Sequence, residues 1–469
     1  MIDKTKINRS TRILFKNLGE LADQLEQKIY VVGGYVRDLV LGIDNKDIDF
    51  VVIGDALKFI KEFKKKYKTD SVVVYPKFGT GMLNYGSYKL EFVSARKELY
   101  MEESRKPEVT KADLISDLSR RDFTINALAM DISSANFGTI IDPFKSQDDI
   151  FRKVIKTPLE PDQTFSDDPL RMMRAVRFAT RLSFAIESRT FDAIKDTAWR
   201  LKIVSQERIT DEFNKIMLAE KPSIGFKLLD SSGLLYIFLP ELLQTKGVEQ
   251  RNEYHHKDVF SHTLQVLDQL AKSTGKLELR LAAIFHDIAK PRTKNFDEKS
   301  GWTFYGHEIV GEKMTNKVLR RMKYSNHIIN YVTKMVRLHL RPMTLVSDEV
   351  TDSAIRRLLL LAGDEFDDLM KLCQADITSK NPNKVKRYLH NYEIVLKKAK
   401  DVQEKDQLRA FKSPVDGNEI MRRFALKPGP QIGIIKKFIE EAILDGIIPN
   451  EHDPALKYMI EHKEELLHE

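Results

Sequence analysis

At 469 residues and 54.3 kDa the chain is too long for one hydrophobic core, and at roughly 100–200 residues per domain it should divide into about two to four folded units. Its 42% hydrophobic and 31% charged residues exclude a mostly disordered chain, and no stretch reaches the ~18 consecutive apolar residues of a membrane span, so no membrane partner is expected. Lys and Arg number 77 against 69 Asp and Glu, and the excess of 8 permits a polyanionic partner without requiring one.

The chain opens MIDKTKINRSTRILFKNLG, with no long apolar core before a small-residue cleavage site. The first third reads as mixed α/β. An apolar run, Ile29-Tyr30-Val31-Val32, ends in Gly33-Gly34, and a helix-like pattern (Val36, Leu39, Val40) follows and stops at Gly42. Further strands are expected at DIDFVVIG, at Ser71–Tyr75 and at Tyr88–Ala95. The charged, poorly periodic stretch from Ala95 to Asp113 reads as a mobile loop. Past Asp142-Pro143 strand signals fade and helical periodicity runs to the end. In RMMRAVRFATRL, Met172, Val176 and Ala179 share one face, and Arg171, Arg174, Arg177 and Arg181 another. Joints are expected at Lys156–Pro158, Lys221-Pro222 and Lys380–Asn383. The single cysteine, Cys373, excludes an intramolecular disulfide and a cysteine-rich zinc site, and suits a reducing, cytoplasmic setting.

Asp47 and Asp49 stand two apart on a strand, so both carboxylates project from one side while Ile48 and Phe50 turn to the other. Two like charges held together call for a cation between them, and phosphoryl transfer supplies that setting, with metal ions bridging carboxylates and nucleotide phosphates. Glu91, in YKLEFVSA, is the best third carboxylate. Gly33-Gly34, between a strand and a helix N-terminus, lets backbone N–H groups approach a triphosphate, and Arg37 could add a charge-assisted contact. A Gly-Gly turn alone is usually only a turn, and an isolated D-x-D usually a solvated strand end. In strand–GG–helix–strand order the two together are far more specific.

Asp168 and Arg171, three apart, should share a helix face. An acceptor beside a donor matches the amino group and ring nitrogen of cytosine and of adenine and mismatches uracil and guanine. The plain alternative is a surface ion pair worth a few tenths of a kcal/mol. Further on, His262, His286, Asp287 and Asp376 lie on helix-like segments, and His286-Asp287 interrupts an apolar run (Leu281, Ile284, Phe285, Ile288). Buried polar residues need partners, and a metal is one; a polar core network is the other. His307 and His339 are additional histidines there. His255 and His256 read as surface or substrate-side residues, and His390, His452, His462 and His468 as solvated.

VVGGYVRDLVLG followed by KDIDFVV resembles the head of the class II tRNA nucleotidyltransferase and bacterial poly(A) polymerase family, within the polymerase-β-like nucleotidyltransferases. SRRDFTINALAMD (Ser119–Asp131), FSDDPLRMMRAVRFATRLSF (Phe165–Phe184) and QERITDEFNKIML (Gln206–Leu218) extend the resemblance. It implies an α+β chain: a polymerase-β-like head (1–150) with a mixed sheet and helices, then an all-helical neck (151–225), body (226–400) and tail (401–469). It further implies that Asp47 and Asp49 hold two magnesium ions. Glu91, where relatives can carry Asp, would orient the attacking 3′-hydroxyl. Gly33, Gly34 and Arg37 would hold the triphosphate, Arg121 and Asp122 would lie at the ribose and phosphates, and Asp168 and Arg171 would choose the base, with Arg174 and Arg177 near phosphate or neck. Asp38 and Asn126 read as structural, by salt bridging or loop pinning.

The body resembles the HD superfamily of metal-dependent phosphohydrolases, which implies His262, His286, Asp287 and Asp376 as ligands of an unidentified divalent metal. The tail's LKPGPQIG and Lys436-Lys437 would touch RNA backbone. The function so implied is addition of CCA to the 3′ end of tRNA from CTP and ATP, with release of pyrophosphate. The rivals are a poly(A) polymerase, disfavoured by a tail that is not basic, an enzyme adding only CC or only A, an HD phosphohydrolase with an RNA-binding head, and a non-catalytic RNA-binding protein.

Overall fold

In the computed structural model, which describes residues 7–67, 69, 71–76, 79–101, 104–249, 258–298, 301–345, 351–378, 381–406, 413–463 and 466, the first apolar run forms strand β1 (Lys28–Val32) and DIDFVVI forms β2 (Asp47–Ile53). The chain folds as two units, Met1–Leu243 and Gln244–Glu469. His255, His256 and His468 lie outside the described residues.

The first unit is organised by a seven-stranded mixed sheet. After β1 and β2 come β3 (Val72–Tyr75), β4 (Thr80–Tyr85), β5 (Tyr88–Ser94), β8 (Ala129–Asp131) and β9 (Ile140–Ile141), in the spatial order β3-β4-β5-β2-β1-β8-β9. β2 pairs parallel with β5, with Asp49 opposite Glu91, and antiparallel with β1. Alternation sends Ile48, Phe50 and Val52 into the core. There Phe50 stacks on Phe92 at 4.8 Å, with Phe15 and Phe59 packed against the pair from helices Arg9–Gln24 and Ala56–Lys66. On the other face Val32, Val51, Leu118 and Ala129 form a second cluster, which leaves the acidic start of β2 uncovered.

Two local expectations are corrected. Strand β4 stands between the expected third and fourth strands; its sequence TGMLNY dilutes the apolar alternation with Gly and Asn. The stretch expected as a mobile loop after Ala95 is an antiparallel ribbon of β6 (Arg96–Met101) and β7 (Ser104–Lys111), paired from Arg96↔Lys111 to Met101↔Ser104. A two-stranded ribbon pairs by backbone hydrogen bonds alone, so no apolar period announces it.

Helices dominate from Pro161 on. Leu170–Leu182 buries Met172, Met173, Val176 and Ala179, and Gln206–Met217 packs beside it, with Phe213 edge-on to Phe226 and Phe238. Among the described residues only short strand pairs persist, one of them Val154–Ile155 with Ala185–Ile186. The second unit is helical: Val259–Ser273, Leu277–Phe285, His307–Arg321, Asn326–Leu338 and Phe366–Asp376 surround the histidines. The last three helices close a separate apolar cluster of Ile420, Phe424, Ile435, Ile439 and Met459. Among the described residues, no helix is long and apolar enough to cross a membrane.

Candidate functional site

A cleft of about 640 Å³ opens over the acidic end of β2 and is lined by nine arginines against four carboxylates, Asp49, Glu91, Asp122 and Asp168. This surplus attracts a polyanion. At its floor Asp49 and Glu91 are cross-strand neighbours on the sheet face opposite the core. Among the described residues no hydrogen bond reaches either carboxylate. Desolvation raises the Asp49 carboxyl above the ordinary range, against Arg121 and with Asp47; desolvation and then Asp49 raise Glu91. Asp47, two residues before Asp49, is exposed at the strand start and does not line the cleft. The acids thus offer hard oxygen ligands that no hydrogen bond occupies, the donor set that fits magnesium. They do not close into a group of three mutually near oxygens.

Gly33 caps the helix Gly34–Leu41 at φ 71°, a conformation suited to glycine. A Cβ there would come within 2.9 Å of Arg121 Nη1 and 3.8 Å of Asp49 Oδ2, so the missing side chain lets backbone, arginine and acid meet. Its own N–H is already spent on the Leu128 carbonyl, 3.1 Å away; only the first-turn amides from Gly34 on lack an intrahelical acceptor. Arg37 is committed as well. Its Nε and Nη2 reach Asp38 Oδ1 at 2.8 and 2.6 Å, and Nη1 reaches Asn126 Oδ1 at 2.6 Å. Asp38 and Asn126 therefore pin Arg37 where it was expected to reach for phosphate.

Asp122 is likewise full. Oδ1 accepts from the Phe123 N–H and from Asn126 Nδ2, and Oδ2 accepts from Arg174 Nε at 2.7 Å and Nη2 at 2.6 Å. Burial alone would raise this carboxyl, but Arg174 and these hydrogen bonds hold it at about 2. Asp122 thus fixes Arg174 in the cleft wall. Arg177 donates to Glu212 Oε2 at 2.5 Å and lies 4.0 Å over the Phe178 ring. Arg121 donates to Asp117, which also holds Arg120.

Asp168 and Arg171 both line the cleft, but the expected shared helix face is corrected. Asp168 is extended (φ −141°, ψ 100°) ahead of the helix, because Pro169 bars it from helical geometry. Its Oδ1 accepts from the Leu170 N–H at 3.2 Å and its Oδ2 from Arg208 at 2.8 Å. Arg171 donates to the Arg120 carbonyl at 2.7 Å. Sequence reading missed Arg208 and Glu212. Their four-residue spacing on the helix Gln206–Met217, inside a motif already singled out, was the available signal.

The second unit holds a different centre. His262, His286 and Asp376 form one group with ligand atoms mutually within 4.8 Å, and Asp287, His307 and His339 form another. Asp287 spans them: Oδ2 lies 3.1 Å from His286 Nε2 and 3.6 Å from His262 Nε2, and Oδ1 lies 3.3 Å from His307 Nε2. The four residues expected to bind metal come together, and His307 and His339 join them. The rings are set from behind. Nδ1 of His286, His307 and His339 donates to the carbonyls of Ala283, Phe304 and Val336 at 2.7–2.8 Å, and His262 Nδ1 is 2.9 Å from Thr378 Oγ1. With Nδ1 so used, each Nε2 points inward as a ligand.

His286 Nε2 is buried without a hydrogen-bond partner, although two carboxylates lie within contact distance. That orphan is what a metal would satisfy, and the residues fit one. Burial disfavours the charged imidazole, but Asp287 and Asp376 outweigh it and push His286 up to about 10. Burial and then His286 hold His339 down at about 3. A proton and a divalent ion are alternatives at such a nitrogen.

Three family models match the chain: Poly A polymerase head domain over residues 29–156, Probable RNA and SrmB-binding site of polymerase A over 183–245, and HD domain over 259–380. The A-adding tRNA nucleotidyltransferase of Deinococcus radiodurans is 32% identical over 70% of this chain and 75% of its own length. The CC-adding tRNA nucleotidyltransferase of Thermus thermophilus is 30% identical over 89% of this chain and 90% of its own. The crystal structure of the Bacillus stearothermophilus CCA-adding enzyme in complex with CTP shares the fold, with a TM-score of 0.70 at 22% identity, covering 98% of this chain and 99% of that one.

Proposed function

Since the chain belongs to the tRNA nucleotidyltransferase family, we propose that it adds CCA to the 3′ end of tRNA from CTP and ATP and releases pyrophosphate. The observation that carries this is the Asp49–Glu91 pair at the floor of an arginine-lined cleft, with Asp168 and Arg171 on its wall. The RNA 3′-hydroxyl gives up its proton to water, its oxygen bonds to the α-phosphorus as the bond to the pyrophosphate oxygen breaks, and pyrophosphate leaves with the electron pair. Asp47 and Asp49 would hold divalent ions, expected to be two magnesium ions, which when bound neutralise the phosphates and favour the ionised hydroxyl. Glu91 orients the hydroxyl. Arg121 and Arg174 meet the phosphates, and Asp122, Asp38 and Asn126 keep arginines in place rather than touching nucleotide. Asp168 accepts the base amino group and Arg171 donates to the ring nitrogen, so protein side chains stand where a template base would.

The test is tRNA lacking its 3′ end, magnesium, and CTP and ATP singly and together. Two C and one A followed by arrest supports the proposal. A growing A tract points to a poly(A) polymerase, and C alone or A alone points to the narrower activities that relatives carry.

The histidine cluster favours a second activity, metal-dependent phosphoester hydrolysis. His262, His286, Asp287 and Asp376 would hold a divalent ion, which when bound makes water a better nucleophile. The water oxygen bonds to phosphorus, the ester P–O bond breaks, and the leaving oxygen keeps the electron pair and gains a proton from that water. Release of phosphate, or opening of a 2′,3′-cyclic phosphate, only with added divalent metal and not by His286→Ala, is the expected result.

A further inference from the structure

Between Asp287 and His307 the chain forms a short helix, Lys290–Thr293, and then an antiparallel ribbon of Asn295–Asp297 with Gly301–Thr303. Phe296 pairs in register with Trp302, their ring centroids 5.1 Å apart and edge to face. Both are exposed, at 60% and 40%, and Tyr305, just beyond the ribbon, is 83% exposed. Three large aromatic rings facing water on so short a segment do nothing for the core.

Both ends of this segment are tied to the histidine cluster. Lys290 Nζ donates to Asp287 Oδ2 at 2.7 Å, and the Phe304 carbonyl accepts from His307 Nδ1 at 2.8 Å. Tyr305 stands two residues before His307, so their Cα atoms lie within about 7 Å. The segment that carries the rings thus starts and ends at the cluster. Cations stand among them: Lys294 Nζ sits 4.0 Å over the Trp302 ring, and Arg292 is exposed on the short helix. An apolar peptide would gain nothing from those charges, whereas stacked bases joined by phosphates use both rings and cations.

We propose that the Phe296–Trp302–Tyr305 rim stacks the terminal bases of a single-stranded RNA 3′ end and so delivers that end's phosphoester to the histidine cluster. The substrate class of the second site is then a base-bearing RNA terminus rather than any simple phosphate ester. This rests on the hydrolytic reading of that site, and the test separates the two.

The full chain carrying Trp199→Phe keeps Trp302 as its only tryptophan, and its fluorescence is titrated with a short oligoadenylate, with AMP and with ribose 5-phosphate. The oligonucleotide should quench at about tenfold lower concentration than AMP, one stacked base being worth about a factor of ten, and ribose 5-phosphate should not quench. Tyr305→Ala should weaken oligonucleotide binding about tenfold and Tyr305→Phe should restore it. In turnover, Tyr305→Ala should raise KM for a 2′,3′-cyclic-phosphate-ended oligonucleotide with little change in kcat, and leave hydrolysis of β-glycerophosphate unchanged. Absence of quenching by the oligonucleotide overturns the proposal, as does equal quenching by ribose 5-phosphate or equal affinity for AMP. A concentration-dependent dimer lost in Trp302→Ala would assign the rim to a second copy and also overturn it. Quenching without hydrolysis of any ester upholds the rim and removes only the hydrolytic reading.

Discussion

The cleft of the first unit and the histidine cluster of the second, for both of which we propose phosphorus chemistry, are built on opposite physics. The cleft floor has carboxylates on strands, open to solvent, with nine arginines about them. The cluster has buried imidazoles on helices or just past their ends, each ring fixed through Nδ1 and offering Nε2. An open oxygen site suits a cation that arrives with its nucleotide and leaves with pyrophosphate. A buried nitrogen-rich site suits a resident ion of the transition series.

The sharpest way to break that contrast is to remove one member of each site. Asp49→Ala should lower nucleotide addition to tRNA by about a thousandfold or more, since it deletes charge from where the phosphates react, and should leave metal content and phosphoester hydrolysis untouched. His286→Ala should do the reverse, with bound metal falling in elemental analysis of the dialysed protein. If either substitution removes both activities, the two sites are not independent.

Proton linkage gives the next contrast. Asp122 is held at about 2 against an ordinary 3.8, so its stabilising contribution is present above about pH 4 and is lost as pH falls toward 2. A depression of nearly two pKa units corresponds to about 2 kcal/mol, and Asp122→Asn should remove about that much at pH 7 and flatten the acid limb of an unfolding profile. His286 has the opposite sign. Raised from 6.5 to about 10, its contribution is present below about pH 6.5 and is lost as pH rises toward 10. At pH 7 the metal-free imidazole is therefore protonated, and zinc or manganese binding should release about one proton, which titration calorimetry in buffers of different ionisation enthalpy measures. No release would mean that His286 is not a ligand.

The same contrast shows what could be read in advance. Strand alternation alone placed Asp47 and Asp49 on one face and Ile48 and Phe50 on the other, because a period of two leaves no choice once one face is buried. The four spaced residues of the cluster were legible as buried polar groups in apolar helices. His307 and His339 were not assigned as ligands, since nothing local says that helices starting 20 and 39 residues after Asp287 return to it. In the cleft, sequence named the arginines and acids but not which were already taken. Arg37 goes to Asp38 and Asn126, and Asp122 to Arg174; these are contacts across the fold, invisible to spacing. Pro169 was visible, and its veto on helix at Asp168 follows from sterics.

That veto leads to the smallest and most specific expected effect. Held outside the helix, Asp168 is aimed by its own cap to the Leu170 N–H and by Arg208 at 2.8 Å. The Arg208 side chain is 44% exposed, so the pair adds at most about 1 kcal/mol to stability, and Arg208→Ala should barely move the melting temperature. It should act on selection instead. With one tether gone, the carboxylate samples orientations that no longer penalise a base presenting a carbonyl, so the ratio of kcat/KM for CTP over UTP should fall by about three- to tenfold, an energy comparable to one weakened hydrogen bond. Arg208→Lys, which keeps the charge but loses the planar fork, should fall between the two. An unchanged ratio in Arg208→Ala would mean that Arg208 does not aim Asp168. A collapse of activity with all four nucleoside triphosphates would mean that Arg208 meets RNA or phosphate and not only Asp168.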